Sequence, residues 1–123
     1  MKLTNNQIYN YASALMVEFG ADCNIKLPVK INFFLQKNIQ AISALAQEIE
    51  KTRLTIAQSY GELNESGSAY SVPEDKIMEV QNELNDLFTL EQDVAIHTFN
   101  IDDFANVELT YKQMNALMFM IEE

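Results

Sequence analysis

The chain has 123 residues, is 48% hydrophobic, and carries 8 basic against 18 acidic side chains, a formal net charge of −10. That is one domain's worth of sequence, long enough to bury a core without staples. One Cys excludes an internal disulfide, one Cys with one His excludes a Cys/His zinc site, and three Gly leave no room for a glycine-rich phosphate loop.

Helix signals come first in chain order. Thr4 with Gln7 has the spacing of a capping box, and Ile8, Tyr11, Ala12, Leu15 and Phe19 then recur at helical steps. This predicts a helix over 5–19, stopped by Gly20. A short link holds Cys23. With no second Cys to resolve a redox cycle, it reads as an inert thiol.

Pro28 suits the first turn of a second helix, and neither Pro nor Gly interrupts the chain as far as Tyr60. Ile31, Leu35, Asn38, Ile42, Leu45, Ile49, Thr52 and Ile56 fall at alternating steps of four and three, a heptad seam. A helix over 28–60 is about 48 Å long at 1.5 Å per residue. Such a rod needs an antiparallel mate, another protomer, or both. Ile31, Leu35, Asn38, Ile42, Leu45 and Ile49 are therefore a candidate oligomer seam. Asn38 within it either fixes register and partner number or marks the edge of the packed region.

Residues 62–72 have loop chemistry around Asn64, Ser66, Gly67 and Ser68, with a small β-arm as one arrangement. Pro73 opens a third helix over 73–90, the expected antiparallel mate of the second. Val94, Ile96 and Thr98 then alternate with their neighbours, which predicts a strand over 93–99 paired as a hairpin with 107–109. Thr110 and Gln113 repeat the capping spacing before a last helix over 111–121. Its Met114, Leu117, Met118 and Ile121 make one amphipathic face; if Phe119 and Met120 point outward, the helix is apolar nearly all round, which favours burial in an oligomer or against a partner. The fold class is mainly α with minor β: a long antiparallel helical hairpin, two flanking helices and a small C-terminal β-hairpin, as one elongated domain.

Charge is unevenly placed. Residues 1–61 carry a net +2, residues 62–76 a net −3, and residues 77–123 a net −9. An acidic surface disfavours direct contact with nucleic acid or anionic membranes and suits either plain solubility or a basic partner. Glu79, Glu83 and Asp86 form one stripe on the third helix, and with Glu91 and Asp93 they are the candidate partner surface. His97 has no carboxylate beside it in sequence and reads as a half-exposed strand residue. Asp102-Asp103 lacks the alternating ligands of a calcium loop and reads as a solvated turn. The reading is therefore of no catalytic residues, no metal and no cofactor. A small hydrolase or metal enzyme is the least supported alternative. With no apolar leader and no membrane span, the expected place is the cytoplasm.

The segments Lys2-Leu3-Thr4-Asn5, Leu27 to Asn38, Leu45 to Lys51, Glu83 to Phe88 and Leu109 to Ile121 together resemble a family of small, uncharacterised phage and prophage proteins of Gram-positive bacteria. The resemblance implies a viral origin, with the cytoplasm of a bacterial host or a virion as the expected place, and carries no active-site residues. The function expected is a non-enzymatic accessory protein acting through protein–protein contacts with itself or with a basic protein. The alternative is an acidic inhibitor of a host defence or nucleic-acid-binding protein, built as a nucleic-acid mimic.

Overall fold

The computed structural model describes residues 1–20, 25–63 and 70–122. Thr4 caps α1 (Asn5–Phe19) as its sequence predicts: the Gln7 N–H donates to Thr4 Oγ1 at 3.1 Å, and Gln7 Oε1 accepts from the Thr4 N–H at 2.9 Å. Directly before it, Lys2–Thr4 forms β1, an element without a sequence signal. Gly20 follows α1 as its C-cap in extended backbone, where a Cβ would overlap the Met16 carbonyl oxygen and only glycine fits without a shift. Cys23 lies outside the described residues.

Helix α2 (Val29–Tyr60) follows Pro28, whose missing N–H removes nothing from a first turn. The arm after it is real at its base: β2 (Glu62–Leu63) pairs antiparallel with β3 (Tyr70–Ser71). Its tip, 64–69, lies outside the described residues. A 3₁₀ turn over Glu74–Lys76 then leads into α3 (Ile77–Thr89).

The C-terminal part departs from expectation. No hairpin joins 93–99 to 107–109. Instead β4 (Glu91–Asp93) pairs antiparallel with β1, in register Lys2 to Asp93 and Thr4 to Glu91. Residues 94–98 have no regular structure. Then β5 (Phe99–Asn100) pairs parallel with β6 (Ile121–Glu122), after α4 (Tyr111–Leu117). The β-branched alternation at 94–98 reflects burial on one side, with Val94 buried and Ile96 half-buried, rather than a strand ladder.

Thr110 caps α4 with the predicted box, but the helix tightens into a 3₁₀ turn at Met118–Met120. A 3₁₀ turn advances about 120° per residue rather than 100°. The phase therefore slips, so Met118 turns outward from the expected inner face and Met120 enters the core.

The core gathers Ile8, Ala12 and Leu15 of α1, Ile31, Leu35, Ile42 and Ile49 of α2, and Val94, Phe99, Phe104, Ala116, Leu117 and Met120 from the C-terminal part. Tyr11 stacks on Phe119 at 4.0 Å, and Phe99 meets Phe104 edge to face at 5.6 Å.

Candidate functional site

The heptad seam of α2 is filled from within the chain. Ile31, Leu35, Asn38, Ile42 and Ile49 are at most 3% exposed in the isolated protomer, and Leu45 is half-buried. In this fold the apolar side chains of the expected oligomer seam lie against the chain's own core. Thr52 and Ile56, which continue the same heptad, are exposed and half-exposed.

Asn38 acts within the fold. Its Nδ2 donates to the His97 carbonyl at 2.8 Å, and its Oδ1 accepts from the His97 N–H at 2.8 Å. The amide thus takes both backbone groups of one residue, as a neighbouring strand would, and pins the irregular 94–98 segment onto α2. Nδ2 also approaches Met120 Sδ at 3.4 Å. The His97 ring stacks on Phe34 at 3.8 Å and 10°, with Phe99 edge-on at 5.1 Å. Asn5 does similar work at the opposite end. Its Nδ2 donates to the Leu87 carbonyl at 2.8 Å and its Oδ1 accepts from Gln92 at 2.6 Å. Among the described residues, no buried side-chain N or O atom lacks a partner.

The candidate partner surface is built on α3. Val80 is buried, and Leu84, Leu87 and Phe88 are half-buried; Phe88 meets Tyr9 edge to face at 5.9 Å. Fixing that face inward turns Glu79, Glu83 and Asp86 outward, and all three are exposed. Lys76 Nζ lies 3.7 Å from Glu79, a surface pair of little energetic weight. Tyr60 Oη donates to Glu83 Oε1 at 3.1 Å and ties α3 to the last turn of α2. That bond to a carboxylate pushes the Tyr60 phenol above the ordinary tyrosine range. Glu91 and Asp93 are also exposed, but on β4, two residues apart on the strand paired with β1. Asp93 accepts from the Met1 ammonium at 3.0 Å. The fold therefore gathers three of the five acids on one helix face and sets the other two on a strand beyond its end.

A groove of about 300 Å³ runs between α1 and α2, lined by Tyr9, Ala12, Met16, Ala46, Gln47 and Glu50. Its one carboxylate is occupied. Arg53 Nε donates to Glu50 Oε2 at 3.0 Å, a second Arg53 nitrogen meets Oε1, and Tyr9 Oη donates at 3.2 Å. The Arg53 hydrogen bond holds the Glu50 carboxyl below the usual glutamate range. Among the described residues, no group of three His, Cys, Asp or Glu is placed to hold a metal ion, and no helix is long and apolar enough to cross a membrane. Compared with known proteins, the chain matches no family model, no curated protein and no solved structure.

Proposed function

We propose that the chain is a non-enzymatic accessory protein, of the phage and prophage kind its sequence resembles, that acts through protein–protein contact in a bacterial cytoplasm. The observation that carries this reading is the outward face of α3. Glu79, Glu83 and Asp86 stand exposed on one side of a helix whose opposite side is anchored to the body. A preformed acidic ridge suits recognition of a basic protein surface, because such a pairing steers encounter and selects partners by sign.

The test is affinity capture on the immobilised wild type and on the triple variant E79K/E83K/D86K. A protein retained by the wild type, released by high salt and lost on the variant supports the reading. Equal retention by both excludes α3 as the contact face.

The second reading is the acidic inhibitor. It is favoured by the run of charge itself: from Ile77 to Phe99 every charged residue is acidic. Duplex DNA distinguishes it. A nucleic-acid mimic and DNA compete for the captured protein, whereas an ordinary protein contact is indifferent to added duplex.

A further inference from the structure

The acidic ridge of α3 has a basic counterpart on the same molecule. From Val29 to Gln47, more than half of α2, the only charged residues are Lys30 and Lys37. Both are exposed, and among the described residues neither takes part in an ion pair. Between them stands Phe33, 54% exposed, with the Lys37 ammonium 5.0 Å from its ring centre. Val29 beside it is 85% exposed. A shallow depression of about 340 Å³ runs over Val29, Asn32, Phe33, Gln36, Lys37 and Gln40. Lys26, also exposed, adds a further positive charge just before the helix.

The spacings of the two faces agree. Lys30 and Lys37 are seven residues apart on one side of α2, and Glu79 and Asp86 are seven apart on one side of α3. At 1.5 Å per residue each pair spans about 10.5 Å. On α2 the exposed Phe33 lies beside the charges, within reach of the Lys37 ammonium. Set one against the other, two helices present two opposite-charge pairs, with Phe33 of α2 beside them.

The faces cannot meet within one chain. The Tyr60–Glu83 hydrogen bond fixes α3 at the C-terminal end of α2. The other end of α3 lies near Glu50, since Phe88 meets Tyr9 and Tyr9 bonds Glu50, and along the helix axis Glu50 is about 20 Å from Lys37 and about 30 Å from Lys30. That exceeds the reach of any side chain and is more than two screening lengths at physiological salt. The attraction is available only to another molecule.

We propose that the protein associates with a second copy of itself head to tail, the Glu79–Glu83–Asp86 face of α3 in one copy seated on the Lys30–Phe33–Lys37 face of α2 in the next. This rests on the reading of α3 as a contact face and names its partner. The two patches differ, so the interface is heterologous: it propagates along a row of copies unless the rotation closes a ring. A single helix-on-helix contact is small, so the association is concentration-dependent and reversible.

Sedimentation velocity over a concentration series tests it. At about 0.01 M salt the screening length is about 30 Å, and at about 1 M it is about 3 Å. The wild type gains mass with concentration at the low salt and returns to monomer at the high salt. K30E/K37E and E79K/D86K are each monomeric at both, because each leaves two faces of like sign. Mixed in equal amounts, they associate again, since every acidic face in the mixture then finds a basic one. All four positions are exposed, so far-UV circular dichroism of both variants matches the wild type. A wild type that stays monomeric at low salt, an association indifferent to salt, or a mixture no heavier than its parts overturns the inference. If the wild type is monomeric yet the α3 face still retains a foreign protein, self-association fails and the contact reading stands.

Discussion

The two ends of α2 carry one periodic pattern and meet opposite fates. From Ile31 to Ile49 the seam is buried by α1 and the C-terminal segments; beyond it, Thr52 is exposed and Ile56 only half-covered. There the neighbours are polar: Glu50 with Arg53 and Tyr9, and Tyr60 with Glu83. A heptad states which side of a helix would be covered. Whether anything covers it depends on what the rest of the chain brings there.

The comparison can be broken at several points. Ile42 has no exposed surface and sits mid-seam. Ile42→Ala is expected to cost about 3–4 kcal/mol in denaturant unfolding, from lost burial plus the cavity left behind. Ile56→Ala at the same heptad phase should cost under about 1 kcal/mol, as its side chain is already half in water. Equal losses would mean the far end is as well packed as the near one.

Asn38→Ala strands the His97 N–H and carbonyl. Leaving such groups unsatisfied costs about 2 kcal/mol, read from the same unfolding curves. Asn38→Asp should be no better, because a carboxylate offers no donor to the carbonyl and is itself buried. Faster amide exchange at His97 in both variants would tie the loss to this clamp.

The smallest effects lie at the polar end. Glu50 is held below its ordinary range by Arg53. A depressed acid contributes stability that is present above the unfolded value, about pH 4.3, and is lost as pH falls through the folded one. On a half-exposed helix pair that contribution is at most about 0.5 kcal/mol. Glu50→Gln should therefore flatten the acid limb of stability against pH and change little at pH 7. Tyr60 runs the other way. Its raised phenol favours the protonated form, so its contribution is present below the ordinary tyrosine value and disappears as pH rises through the folded one. Ultraviolet titration should show one tyrosine ionising late in the wild type and at the ordinary range in Glu83→Gln.

Much of the α architecture was legible because its signals are local. Thr4 with Gln7 and Thr110 with Gln113 form the capping boxes their spacing announces. Pro28 and Gly61 bracket α2 where they stand in sequence. The exposure of Glu79, Glu83 and Asp86 was readable too, since Val80, Leu84 and Leu87 fix the opposite side inward. The basic face was less visible: two lysines seven residues apart are a faint signal until Phe33 and Val29 are seen exposed beside them.

The β pairings were not legible, and the reason is distance. Strand β1 is three residues long and meets a partner some ninety residues away, and β5 pairs with a segment beyond α4. No local alternation specifies such a match. Asn38 shows the same limit. Its place in the seam marked it as unusual, but its partner is the backbone of His97, and a backbone group has no signature in sequence. Composition and periodicity by themselves determined the helices, their caps, the side of each that is apolar, and the concentration of negative charge after Ile77. Only the tertiary structure decided that the α2 seam is used up within the chain and that the two oppositely charged faces are held at opposite ends of a rod. The first set follows from interactions within a few turns of helix; the second depends on which distant segments meet.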